Sequence, residues 1–114
     1  MCGFTGAISF QNIDSEKLKK ANTHSICRGP DSTSNFNDED VIRYDLWFNR
    51  LAIIDLSDNA NQPMFSEDNK SVIMFNGEIY NSQFLRENDL KNKYLFRTNH
   101  SDTETLLAGL EIHG

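Results

Sequence analysis

The chain lacks any apolar run long enough to span a membrane: stretches such as Val72–Phe75 extend only a few residues, against the roughly 20 that a spanning helix requires. It is also short of positive charge. Eleven Lys and Arg oppose seventeen Asp and Glu, for a formal net charge of -6, and the only basic cluster is Lys17, Lys19 and Lys20. Such a surface repels phosphate backbones, so nucleic acid is not an expected partner. Two cysteines, Cys2 and Cys27, are too few for a disulfide framework and are expected as free thiols. The opening residues Met1 to Phe10 carry no positive charge and no small-residue cleavage pattern. No secretory signal is legible there, and a cytoplasmic location is the expectation. Repeats, low-complexity tracts and Pro/Gly-rich linkers are missing too, which favours one domain or one contiguous piece of a larger one.

What remains describes an acidic chain able to fold. Leu, Ile, Val and Phe make up about a quarter of its 114 residues, above the level of a disordered chain. A chain of this length buries about two thirds of its unfolded surface, so a core needs no metal or crosslink. Gly3–Phe10 reads as a strand. Asp14 or Ser15 caps a helix running to about Ile26, with Leu18, Ala21 and Ser25 or Ile26 facing inward, and Arg28-Gly29-Pro30-Asp31 ends it. Ser32–Asp40 is polar and without periodicity, the pattern of a surface loop. Ile42–Leu56 holds one or two strands. Asn76-Gly77, between Val72–Phe75 and Glu78–Tyr80, predicts a hairpin. A short helix follows over Asn81–Leu90 with Phe84 and Leu85 inward, then a brief strand around Tyr94–Arg97. Ser101-Asp102-Thr103-Glu104 is a capping box ahead of a Leu106, Leu107, Leu110 stripe. The last helix runs to Gly114 with nothing after it to return to a sheet, the pattern of a truncated domain.

Cys2 leads the residues that could carry chemistry. Removal of the initiator methionine makes it the amino terminus, where an α-amine titrates near about 7.7 to 8.0 against roughly 10.4 for a lysine. Nucleophile and base then share one residue; the plain alternative is a cysteine that happens to lie second. Asn76-Gly77 is either turn chemistry or, through the Gly77 N–H and the Asn76 amide, a donor pair for a developing oxyanion. Glu78 is either a solvated charge or a ligand for a cationic group. By strand alternation Arg50 shares a face with Phe48, Ala52 and Ile54, where it needs an anion: one of the acids of the chain or a substrate carboxylate gripped in bidentate fashion. Asp102 stabilises a helix start whatever else it does. His24, His100 and His113 lack metal-ligand spacing and no phosphate-cradling glycine loop is present, so no metal or nucleotide site is expected in the chain. Asn69-Lys70-Ser71 and Asn99-His100-Ser101 match the glycosylation pattern, which has no consequence without export.

In order, Met1-Cys2-Gly3, Arg28-Gly29-Pro30-Asp31, Arg50-Leu51-Ala52-Ile53-Ile54-Asp55-Leu56, Gln62-Pro63-Met64, Asn76-Gly77-Glu78-Ile79-Tyr80-Asn81 and Ser101-Asp102-Thr103-Glu104 resemble the glutaminase domain of asparagine synthetases. These belong to the class II glutamine amidotransferases. The resemblance covers almost the whole chain. It implies an α+β fold of the N-terminal nucleophile hydrolase type, an αββα sandwich, here truncated: residues 1–114 as a partial glutaminase domain, with the synthetase domain absent.

The same resemblance implies site residues. Cys2 would be the nucleophile, Asn76 and Gly77 the oxyanion hole, and Arg50 the anchor for the glutamine α-carboxylate. Glu78 and Asp102 would hold substrate polar groups, Asp102 the α-ammonium, while Leu51, Ala52, Ile53 and Ile54 line the pocket. Glutamine would be hydrolysed to glutamate and ammonia, supplying nitrogen for asparagine synthesis from aspartate. ATP and Mg²⁺ are expected only in the missing synthetase domain, and no cofactor in this chain. The expected partners are L-glutamine and that domain; a homodimer is compatible with the resemblance. A catalytically silent glutamine-binding fragment and a stand-alone glutaminase are the alternatives. Three positions depart from the usual pattern: Cys27 and Phe48 stand where His is common, and Ala60 where glycine is usual. None is a proposed catalytic group, and Cys27 is expected as a buried helix-end residue rather than a second reactive thiol.

Overall fold

The weakly charged segment after Cys2 forms β1 (Gly3–Ser9), as its composition predicts. Asp14 then caps α1 (Ser15–Thr23), its carboxylate accepting the Lys17 N–H, which satisfies a backbone donor that a helix start otherwise leaves unpaired. The helix stops three residues short of the expected Ile26, and a 3₁₀ turn at Ile26–Arg28 follows. Its inward face is Leu18 and Asn22, with Ser25 half-buried just beyond its end, whereas Ala21 and Ile26 are exposed. Ser32–Asp40 is not a loop: Ser32–Asp38 forms β2. Both β1 and β2 pair antiparallel with β3 (Arg43–Arg50), in the order β1-β3-β2. Phe4 lies opposite Phe48, and Ser34 flanks Phe48 from the other side.

The computed structural model describes all 114 residues and divides into two compact units, Met1–Ala52 and Ile53–Gly114. In the first, strand alternation sets Asp45, Trp47 and Asn49 on one face of the sheet. There Asn49, fully buried, donates to the Asn22 side chain at 2.9 Å and to Ser25 Oγ at 2.7 Å, and accepts from Thr33 Oγ1 at 2.8 Å. The helix therefore docks on the sheet through amides as much as through apolar contact. The opposite face carries Phe4, Ile8, Phe36, Tyr44, Leu46 and Phe48. Phe48 is fully buried, while Phe4 and Ile8 remain exposed.

The second unit holds the two-stranded pair β4 (Met64–Phe65) and β5 (Val72–Ile73), then α2 (Ser82–Glu87) and α3 (Asp102–His113). Its buried apolar residues are Ala60, Met64, Leu90, Leu107 and Ala108, and the Gln62–Pro63 bond is cis. Several expectations are corrected here. The hairpin is the Ser66–Ser71 turn between β4 and β5; Glu78–Tyr80 is not a strand. Neither Asn76 nor Gly77 takes the positive φ that a tight hairpin turn demands, because side chains rather than a second strand bind the neighbouring backbone. Tyr94–Arg97 forms no strand, since its backbone is drawn to the Glu104 carboxylate at the Arg97 end. Phe84 is exposed, and Arg86 is the buried residue of α2. Leu110 is half exposed, and the inward side of α3 is Glu104, Thr105, Leu107 and Ala108. Both units mix helix and strand, and no helix is long and apolar enough to cross a membrane.

Candidate active site

Cys2 lies at the entry to β1, half-buried, with its sulfur held against one residue. The Leu51 N–H points at Sγ over 3.4 Å, and the thiol donates to the Leu51 carbonyl over 3.7 Å. Leu51 is fixed in turn by the Arg28-Gly29-Pro30-Asp31 segment. The Asp31 N–H donates to the Arg50 carbonyl at 3.0 Å, and the Ala52 N–H donates to Asp31 Oδ2 at 2.8 Å. Gly29 sits so close to β3 that an added Cβ would come within 2.1 Å of the Asn49 carbonyl oxygen. Arg28 Nε reaches the Cys2 carbonyl at 3.4 Å. The four residues read in the sequence as a helix stop thus bracket the backbone on both sides of the thiol.

Arg50 is buried at the end of β3. The strand ends there, so Ala52 and Ile54 do not continue its face as alternation predicts. Leu51 and Ala52 are half-buried and Ile53 and Ile54 exposed; the loop turns away from strand pairing because Asp31 takes the Ala52 N–H. Cys27 is exposed, with its thiol directed at the His24 carbonyl 3.8 Å away. This corrects its expected burial: α1 ends before it, and the 3₁₀ turn faces it outward.

In the second unit, Asn76, Gly77 and Glu78 are exposed in a segment without regular structure. Both flanks of that segment are fastened. On one side the Gln62 side chain accepts the Phe75 N–H at 2.6 Å and donates to the Phe75 carbonyl at 3.1 Å. On the other, Asp102 Oδ2 accepts the Ile79 N–H at 3.0 Å. Asp102 opens α3, whose start is set by Ser101 Oγ accepting the Glu104 N–H at 3.3 Å, half of the predicted capping box. The Glu104 carboxylate does not reach back to Ser101. Fully buried, it accepts the Arg97 and Thr98 N–H groups at 2.7 and 2.8 Å and pairs with Arg86 Nη2 at 3.4 Å. Burial lowers the Arg86 pKa, and the nearby Glu104 carboxylate offsets only part of that shift.

The structure therefore brings Cys2, Arg50 and Leu51 together in the first unit, and Asn76, Gly77, Glu78 and Asp102 in the second. Gln62 and Asp31 each stand in a sequence motif that assigns them no role. The signal available for them was chemical: a short side chain carrying hydrogen-bond groups beside a segment with backbone to satisfy. No group of His, Cys, Asp and Glu in the chain is arranged to hold a metal ion. A cleft of about 200 Å³ lined by Ser15, Asp38, Arg43 and Asp45, among others, contains none of the candidate residues.

The first unit thus carries a half-buried thiol oriented by the Leu51 peptide, and the second an Asn-Gly segment held from both flanks. The family of glutamine amidotransferase domains matches residues 1–114, and the chain belongs to it. Its relatives include the glutamine-hydrolyzing asparagine synthetase 1 of Bacillus subtilis (strain 168), 46% identical over 95% of this chain and 17% of the relative. A probable asparagine synthetase of Dictyostelium discoideum is 38% identical over 100% and 20% of the two chains. Asparagine synthetase B of Escherichia coli (strain K12) is 35% identical over 95% and 19%. The chain spans about a fifth of the length of these relatives.

Proposed function

We propose that this chain is the glutamine-hydrolysing part of an asparagine synthetase and that Cys2 is its nucleophile. The observation that carries the proposal is the family match over the whole chain, with a cysteine at position two whose sulfur is oriented by the Leu51 peptide. With Met1 removed, the Cys2 amine, directly or through water, accepts the thiol proton as sulfur attacks the amide carbon of glutamine. The C–S bond forms and the carbonyl oxygen becomes an oxyanion, stabilised by the Asn76 amide and the Gly77 N–H. The amine returns the proton to the departing nitrogen, the C–N bond breaks and ammonia leaves a γ-glutamyl thioester. Water then releases glutamate and restores the thiol.

Arg50 grips the α-carboxylate, Asp102 and Glu78 take the polar groups at the other end of the amino acid, and Leu51–Ile54 line the pocket. A free amino acid with a neutral amide tail needs such a set of a cation, anions, a nucleophile and oxyanion donors. The names of the relatives support delivery of the ammonia to a synthetase domain outside these residues, where ATP and Mg²⁺ would activate aspartate. An αββα sandwich, which rests on the family resemblance, and a cytoplasmic setting are part of the same proposal. The test is ammonia release from glutamine by the wild-type chain, Cys2→Ala and Arg50→Ala. Release should vanish in Cys2→Ala. In Arg50→Ala the KM should rise by roughly 10- to 100-fold, the loss of a charge-assisted contact worth about 1.5–3 kcal/mol. Turnover that survives Cys2→Ala would end the proposal. Glutamine bound but never hydrolysed by the wild type would instead identify a silent binding fragment.

A further inference from the structure

Asn76 and Gly77 are exposed and lie outside any helix or strand, yet an oxyanion hole is effective only when its donors are fixed before the charge appears. Regular pairing does not fix them, since no second strand runs alongside. What binds the backbone just before them is a side chain. The Gln62 amide makes a reciprocal pair with Phe75, accepting its N–H at 2.6 Å and donating to its carbonyl at 3.1 Å. It thereby reproduces with a side chain the two bonds that a neighbouring strand would make. Gln62 is itself buried, and its Nε2 also donates to Thr103 Oγ1 at 3.1 Å. Thr103 follows Asp102, whose carboxylate holds the Ile79 N–H at 3.0 Å beyond the turn. The five residues Phe75–Ile79 are thus closed into a loop whose two ends are tied, through Gln62 and Asp102, to consecutive positions at the start of α3.

We infer that Gln62 is a positioning residue that sets the conformation of the Asn76–Gly77 donors; this rests on their proposed role as the oxyanion hole. The Gln62 side chain is engaged with Phe75 and Thr103 and has no part in the proposed binding or bond-breaking steps. Its loss should therefore act on the transition state, where the donors matter, and little on glutamine binding, which other residues supply.

The test compares Gln62→Ala, Gln62→Glu and Asn76→Ala in the full chain, reading kcat and KM for ammonia release from glutamine together with amide hydrogen exchange at Phe75. Gln62→Ala should lower kcat by roughly 10- to 100-fold, short of the roughly 10²- to 10³-fold expected on removing a donor outright in Asn76→Ala. Its KM should stay within about twofold of wild type, and the Phe75 amide should lose protection. Gln62→Glu keeps an acceptor for the Phe75 N–H but loses the Nε2 donor. It should preserve Phe75 protection with an intermediate kcat, and it decides the matter should Gln62→Ala not fold. A wild-type kcat in Gln62→Ala beside a slowed Asn76→Ala overturns the inference, as does a Phe75 amide that exchanges at the wild-type rate. A wild-type kcat in Asn76→Ala would instead count against the oxyanion-hole reading, with Phe75 exchange still deciding whether Gln62 holds the loop.

Discussion

Gly29 has no room for a side chain. A Cβ there would sit 2.1 Å from the Asn49 carbonyl oxygen and 2.7 Å from the Arg50 nitrogen, and backbone cannot swing aside as a side-chain tip can. Gly29→Ala must therefore push β3 away at the point where Arg50 and Leu51 leave it. The expected outcome is a loss of about 1–3 kcal/mol in urea unfolding, with the Leu51 amide resonance displaced as its contact with the Cys2 sulfur is disturbed. A wild-type midpoint and an unmoved Leu51 resonance would contradict the close approach. At this scale the sequence was legible for identity and opaque for partnership. Cys2, Arg50 and Asp102 stand out by residue type and position. That Asp31 holds the Ala52 N–H, or that Gln62 mimics a strand for Phe75, depends on contacts between residues far apart in the chain. No local pattern encodes these.

Helices and strands are held here by buried polar groups as much as by apolar ones. Arg86 of α2 donates to Thr105 Oγ1 at 2.8 Å, to the Thr98 carbonyl at 2.7 Å and to the Ser101 carbonyl at 2.6 Å, and lies 4.0 Å from the centre of the Phe96 ring. Its removal leaves the fully buried Glu104 carboxylate without its buried cation, so Arg86→Ala should cost about 3–5 kcal/mol in chemical denaturation; a change within about 0.5 kcal/mol, typical of an exposed site, would refute that placement. The β4–β5 turn depends on Asp68. The Lys70 N–H first, then the Ser66 hydroxyl and the Lys70 ammonium, hold its carboxyl at about 2, below the usual 3.8. A depressed carboxyl stabilises the fold above its unfolded pKa and loses that contribution as pH falls through the folded one. Protection of the Ser71 amide, bound to Ser66 Oγ at 2.9 Å, should therefore fall between roughly pH 4 and pH 2 in wild type. In Asp68→Asn it should be weaker throughout and flat over that range. Identical profiles in the two proteins would exclude a role for the carboxylate.

The same chemistry explains which elements could be read in advance. β1, α1 and α3 carry local signals: an uncharged strand, an Asp cap and a Ser cap. β2 does not, because its polar residues find partners on β3, far off in sequence, as where Asn35 donates to Asp45 at 2.7 Å and Thr33 to Asn49 at 2.8 Å. The Asn76-Gly77 pair misled in the opposite direction, carrying the composition of a hairpin turn while Gln62 and Asp102 take the backbone groups that a hairpin would pair.

For the molecule as a whole, the chain belongs to the glutamine amidotransferase domain family over its entire length, yet spans about a fifth of its asparagine synthetase relatives. Its first unit presents Phe4 and Ile8 on the sheet face opposite α1, an apolar surface of the kind that a two-sheet sandwich would cover. The chemistry proposed for this protein depends on a free amine at Cys2, and hence on the loss of Met1. The most direct test is mass spectrometry, intact and after peptide mapping, of the protein treated with an electrophilic glutamine analogue. The account predicts a single adduct on Cys2, on chains that lack Met1, with Cys27 unmodified. An adduct on Cys27, or one on Cys2 in chains that still carry Met1, would contradict it.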